Sequence, residues 1–199
     1  MYVRRKSQGF TLIELLTVLA VIGILAMIGS PFYRGATTDA NAKAIMSFTQ
    51  GAPDNWRLVA MKCNTSTDVT ASTVVATPSA TNSLALMVSG PSYVNATYAG
   101  CYAAANVVPL HNKVTGNATD GFSLAGFTIT WSGGAPGTPI SMNYAAVPTD
   151  VALILYNQYS SASGAKTATS LPAGGDTTDS NFRYSAPAGG LTNITMLVY

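Results

Sequence analysis

The chain has 199 residues, of which charged side chains make up 9% and the net charge is +2, so it has room for one domain plus an extension rather than two full domains. Three of its basic residues, Arg4, Arg5 and Lys6, precede Gly9; without residues 1–9, seven basic and eight acidic side chains remain. From Asn64 onward only Lys113, Lys166 and Arg183 are basic against five Asp, which excludes the basic patch that nucleic acid requires.

The first element in chain order is "RRKSQGFTLIELLTVLAVIGILAMIGSPFY", Arg4 to Tyr33. Phe10 to Ser30 holds a single charge and is long enough to cross a bilayer as a helix. The basic residues before it hold that end in the cytoplasm by the positive-inside rule. The residues after its apolar core lead into Pro31-Phe32-Tyr33, a poor secretory cleavage site. The more unusual junction precedes the core, at Ser7-Gln8-Gly9-Phe10.

Glu14 lies five residues into the apolar run, where a carboxylate is costly without a partner. Cutting after Gly9 would give Phe10 a free α-amine, about 6 Å from Glu14 along a helix. In a stack of parallel helices, Glu14 of one chain could meet the Phe10 amine of the next. A carboxylate that snorkels to the interface or protonates is the plainer alternative.

"KSQGFTLIELL", Lys6 to Leu16, resembles the processing site of type IV prepilins and type II secretion pseudopilins. The resemblance covers about Lys6 to Tyr33. It implies a prepilin peptidase that cuts between Gly9 and Phe10 and methylates Phe10, and a role for Glu14 in inserting the subunit into a filament. Pro31 falls where many of these proteins kink the helix. The nine-residue leader and the Phe look like the type IVa class. Implied partners are other pilin subunits in a homopolymer, with or without minor pilins, an inner-membrane assembly platform, and the lipid bilayer before assembly. The implied locations are the bacterial inner membrane and then an extracellular pilus or periplasmic pseudopilus.

Beyond Pro31, Phe32, Ala36, Ala40, Ala44 and Phe48 recur at spacing four with Ile45 beside them. They predict a small apolar face that packs on the globular domain, with a face between subunits as the alternative. Gly51-Ala52-Pro53 predicts a break, followed by a short second helix or bent continuation to Lys62. In it Trp56, Val59, Ala60 and Cys63 follow at i, i+3, i+4, i+7. Cys63 and Cys101 fit one disulfide in an exported chain, worth about 4 kcal/mol in the chain-entropy model. Free buried thiols or a metal pair are the alternatives, the latter disfavoured by a single histidine.

Half of the residues from Asn64 to Ser83 are Ser or Thr, which suits a loop leading into edge strands. Candidate strands are 83–89, 92–98, 122–131, 140–147, 151–159 and 191–199, punctuated by Gly and Pro pairs. The expected architecture is α+β: a leader (1–9), a transmembrane or filament-core helix (10–30), its continuation on the head (31–62), and a β-rich head with an antiparallel sheet (63–199).

Chemistry is sparse. His111 stands alone, "GAKT" at 164–167 lacks phosphate-loop spacing, and Asp176 with Asp179 reads first as a solvated loop and only second as a calcium pair. Asn-x-Ser/Thr sequons begin at Asn64, Asn95, Asn117 and Asn193, a number that composition alone explains. No cofactor, no enzyme activity and no nucleic-acid partner is expected. The expected function is a structural subunit of a type IV pilus, serving adhesion, twitching motility or DNA uptake. The alternatives are a minor pilin, a type II secretion pseudopilin, or a membrane-anchored adhesin that never polymerises. The last is harder to support as a DNA receptor with so few cations in the head. In the resembling family many major subunits close a carboxy-terminal loop with their cysteines; Cys63 and Cys101 depart from that.

Overall fold

The computed structural model describes residues 10–110 and 114–199, with the side chains of residues 29–34 outside that description. The leader, including Gly9, and His111 and Lys113 lie outside the described residues, as do the side chains of Pro31 and Phe32. The chain divides into two compact units, Met1–Thr38 and Asp39–Tyr199.

Helix α1 runs from Leu12 to Cys63 and contributes to both units. The break expected at Gly51-Ala52-Pro53 is not there. Pro53 withdraws only one donor from the helix ladder, and the residues around it, Ala52 and Trp56, are fully buried and hold the turn in place. The helix stops where its sequence says it should. Asn64 takes a left-handed conformation (φ 50°), Thr65 N–H donates to Ala60 C=O and Asn64 N–H to Met61 C=O. This is the Schellman pair of bonds that closes a helix end.

The buried stripe of α1 in the second unit is Ala42, Ile45, Phe48, Ala52, Trp56 and Val59. Trp56, Val59 and Ala60 are buried as their spacing predicts, but the alanine face is corrected: Ala36 and Ala40 are exposed and Ala44 is only partly covered. A strict spacing of four advances 400° per step on a helix of 3.6 residues per turn, so such a row drifts off any one face.

The strands form one six-stranded antiparallel sheet, ordered β1 (Val114–Asn117), β2 (Gly121–Leu124), β3 (Phe127–Gly133), β4 (Ile140–Pro148), β6 (Leu191–Val198), β5 (Phe182–Tyr184). The fold is therefore α+β, a long amino-terminal helix followed by an antiparallel sheet domain. Alternation sets the inner face: Phe127, Ile129 and Trp131 of β3 and Ile140, Met142 and Tyr144 of β4 are buried. The expected strand 122–131 is in fact the β2–β3 hairpin, folded at Ala125-Gly126, both with positive φ.

Two expected strands are helices. Ala80–Ser89 is α2, with Ser79 Oγ accepting from Asn82 N–H at 3.1 Å and Gly90 (φ 85°) ending it. Thr149–Tyr159 is α4, with Asp150 in its first turn and Val151, Ala152, Leu155 and Tyr156 buried, a helical period that outweighs β-branched composition. Residues 92–98 form two single 3-10 turns, and Ala99–Ala105 is a short helix, α3.

Contacts of several kinds tie the second-unit part of α1 to the rest of this domain. Thr49 Oγ1 hydrogen-bonds Tyr144 Oη on β4 at 2.7 Å. The Trp56 and Trp131 rings meet edge-on at 5.7 Å. Arg57 donates to the Val198 carbonyl on β6 at 2.7 Å. Cys63 is disulfide-bonded to Cys101 of α3, with Cα atoms 5.1 Å apart.

Asp179 is 7% exposed and is not part of a solvated loop. One of its oxygens accepts from the Asn181 and Phe182 amides, the other from Ser160 Oγ and the Ser161 amide. Burial disfavours its charge and is the largest single influence, but the four bonds together outweigh it and hold the carboxyl well below the usual range. With both oxygens filled by donors, the calcium reading gives way to a structural one: this carboxylate pins the end of α4 to the entry of β5. Its depressed ionisation stabilises the fold above the unfolded Asp value near pH 4, and that contribution falls away as pH drops below it. Asp179→Asn should therefore lower the unfolding free energy of the full chain in detergent by about 2–4 kcal/mol at pH 7. Denaturant unfolding should show the gap to the parent narrowing below about pH 4.

Candidate assembly site

The first turn of α1 is built by its own side chains. Thr11 precedes the helix. Its backbone N–H and its hydroxyl both donate to Glu14 Oε2, at 2.9 and 2.8 Å. Glu14 N–H reaches back to Thr11 Oγ1 at 3.4 Å. This reciprocal pattern is a capping box, which satisfies donors that a helix start otherwise leaves open. Glu14 also suits the positive end of the helix dipole. Sequence reasoning missed Thr11, although the signal T-x-x-E was present in Thr11-Leu12-Ile13-Glu14.

Both Thr11 bonds fall on Oε2. Oε1 accepts no hydrogen bond among the described residues, so one edge of the carboxylate is open to a donor from elsewhere. Phe10, the residue expected to carry the new amine, is 89% exposed beside it.

On both sides of Glu14 in the chain, from Leu12 to Ile28, apolar side chains face every direction. Leu12, Ile13, Leu15, Leu16, Val18, Leu19, Val21, Ile22, Ile24, Leu25, Met27 and Ile28 all keep more than half of their surface exposed. A helix that is apolar all round belongs inside something. Covering these twelve side chains is worth on the order of 20 kcal/mol, more than the 5–15 kcal/mol by which typical domains are stable. Among the described residues no helix is long and apolar enough to cross a membrane; the stretch with described side chains ends at Ile28.

Residues 4–30 match the family model described as the prokaryotic N-terminal methylation motif. The chain carries a type IV prepilin-like leader. Leaders of this kind mark the type IV pilins and pseudopilins, and imply processing by a prepilin peptidase and assembly with other pilins. The match takes in residues 4–9 of the leader together with Phe10, Thr11 and Glu14, and ends before Pro31. No curated protein and no solved structure matches the chain.

The other sequence candidates separate from this site. Cys63 and Cys101 are joined, at the far end of α1 and on α3. Helix α1 continues through Pro31 in its backbone. Gly164 to Thr167 forms a 3-10 turn with Ala165 buried, not a phosphate cradle. Among the described residues no group of three or more His, Cys, Asp or Glu side chains could hold a metal ion. Of the sequon asparagines, Asn95, Asn117 and Asn193 are engaged in hydrogen bonds, while Asn64 is exposed at the helix end.

The capping box carries its own test. Thr11→Val keeps the side-chain shape but removes the hydroxyl, and should raise amide hydrogen exchange at residues 12–16 about fivefold in detergent micelles. Exchange in the sheet should be unchanged. Equal exchange in the first turn would mean that the box does not form in solution.

Proposed function

We propose that the chain is a structural subunit of a type IV pilus or pilus-like filament, held in the bacterial inner membrane before assembly and carried outward afterwards. The observation that supports this most directly is a prepilin-like leader abutting a helix whose apolar side chains are exposed on every side. Lipid covers that helix first. The α1 helices of other subunits cover it next, so apolar surface passes from one apolar environment to another at little cost.

Cleavage between Gly9 and Phe10 supplies a cation, which N-methylation of Phe10 preserves. Glu14, with Oε2 held by Thr11 and Oε1 open, accepts the Phe10 amine of a neighbouring subunit. Two charges that are each unfavourable in an apolar core become a neutral pair only in a correctly registered assembly. Pro31, like Pro53, withdraws a donor from the helix backbone, and any kink or local melting during assembly is assigned to Pro31. No catalysis, cofactor or nucleic acid enters this reading.

The minor-pilin or pseudopilin reading is kept for one observation: the disulfide links the end of α1 to α3, while the carboxy-terminal strand β6 lies between β4 and β5 in the sheet and closes no cysteine loop. Subunit stoichiometry in purified filaments separates the two, because a major subunit dominates the protein content.

Electron microscopy of fibres sheared from cells with and without the protein tests the main reading; identical fibres in both would overturn it as a major subunit. Gly9→Ser should leave the leader attached, seen by intact mass as nine retained residues. Glu14→Ala should be cleaved normally yet enter fibres at less than about a tenth of the parent level, since an unpaired amine is then left in the core. Normal incorporation would remove the pairing step from the mechanism.

A further inference from the structure

Strand β3 outruns its neighbour β2. The last pair between them is Phe122 with Ile129, because β2 begins where the chain has just turned out of β1. The Asn117 side chain fixes that turn: its oxygen accepts from the Thr119 and Asp120 amides, and its Nδ2 donates to Asp120 Oδ2 at 2.8 Å. Past Ile129, the β2 side of β3 is therefore left open by the fold itself.

The phase of the ladder decides which groups face that opening. Gly134 N–H donates to the Pro139 carbonyl on the β4 side, so Ser132 and Thr130 also turn their backbone groups to β4. Ile129, Trp131 and Gly133 turn theirs the other way. Ile129 is paired with Phe122, and Gly133 C=O accepts from Val69 N–H at 3.0 Å. Trp131 lies between them and is 2% exposed. Among the described residues its backbone N–H and C=O meet no partner. Buried main-chain groups are seldom left so, and each such case calls for a partner.

The indole of Trp131 is fixed separately, with Nε1 donating to the Ala80 carbonyl at the start of α2 at 2.6 Å. Beside it lies a cavity of about 80 Å3 between α2 and the sheet, walled by Ala80, Leu84, Phe122 and Trp131 and reaching the surface at Thr81 and Thr130. No charged residue lines it.

We propose that this gap is a binding site for an extended, uncharged segment of a partner protein. The segment adds one strand residue opposite Trp131 and sets an aliphatic side chain in the cavity. Three observations select that chemistry. A donor and an acceptor side by side on one strand residue match the acceptor and donor of another peptide backbone, the basis of recognition by strand addition. Residues directly opposite on paired strands share a face, so the side chain of the incoming residue points toward α2, where the cavity is. The cavity is about half the ~150 Å3 that holds a benzene ring, which suits a valine-sized group rather than an aromatic one.

The peptide acetyl-Thr-Val-Thr-amide, titrated into the full chain in detergent micelles, tests the site. Saturable shifts are expected at the Trp131 backbone amide and indole N–H, with exchange of that amide at least tenfold slower at saturation. Methylating the valine nitrogen of the peptide removes its donor, and replacing the valine by aspartate puts a charge in an apolar recess. Each change should weaken binding at least tenfold. Ala80→Leu fills the recess and should weaken binding by a similar factor. Should that variant disturb the fold, the three peptides on the unaltered chain decide alone. A Trp131 amide that does not respond to the peptide overturns the proposal, as does equal binding of the methylated form. Shifts at Trp131 that follow chain concentration without peptide would make a second copy the occupant and overturn the assignment to a partner protein.

Discussion

The controlling constraint is that one continuous helix, Leu12–Cys63, presents two incompatible surfaces. As far as Ile28 its side chains are apolar in every direction and exposed. From Ala42 onward it follows the ordinary rule of one buried and one exposed face. Water suits only the second part. The unfavourable exposure of the first part exceeds what a head of this size gains by folding, so the chain is energetically complete only when lipid or other chains cover that surface. Low charge elsewhere fits the proposed assembly, because chains drawn together by an apolar helix repel one another little when their heads are nearly neutral.

The head answers the same constraint by gripping α1 at several levels. Thr49, Trp56, Arg57 and Cys63 reach β4, β3, β6 and α3 respectively, through a buried hydrogen bond, a ring contact, a charge-assisted bond and a covalent link. These lie within four turns of helix, so no single contact decides whether the helix stays docked. The disulfide closes a separation of 38 residues, which removes unfolded-state entropy worth about 4 kcal/mol in the chain-entropy model. That loop holds the Ser- and Thr-rich segment, which has little apolar area of its own with which to stay folded.

Legibility varied with how local the signal was. The leader, the apolar run, Cys63 with Cys101, β4, β6 and the burial of Trp56, Val59 and Ala60 were all written in spacing or residue type. The start of α1 was equally legible as Thr11-x-x-Glu14 but was eclipsed by attention to charge. The α2 segment "SLALMVS" is buried on nearly all sides, and periodicity cannot then separate helix from strand; the deciding information was the Ser79 cap and Gly90. In α4 the residues Val151, Ile154 and Tyr159 favour strand by composition, while the pairs Val151-Ala152 and Leu155-Tyr156 recur at helical spacing. The strands β1 and β5 pair with the strands next to them in sequence, β2 and β6, but at four and three residues they are too short to show an alternation. Asp179 left no local trace because two of its four donors, Ser160 and Ser161, come from a separate segment.

In the proposed assembly, Glu14 combines a structural role with a pairing role in one side chain. A capping box alone would explain a carboxylate at the third helical position, with no need of a partner from another molecule. It does not explain why that carboxylate stands at the head of a stretch that must be buried in an apolar setting, because Thr11 is a neutral donor and leaves the charge uncompensated. The amine of the proposed pair supplies the cation that such a setting favours. The box makes the pairing easier: with both Thr11 bonds on Oε2, the carboxylate is held in place and its other edge faces outward before any neighbour arrives. Less side-chain freedom then remains to be lost on pairing. The cap and the proposed intermolecular pair would therefore use different oxygens, and the first makes the second more favourable.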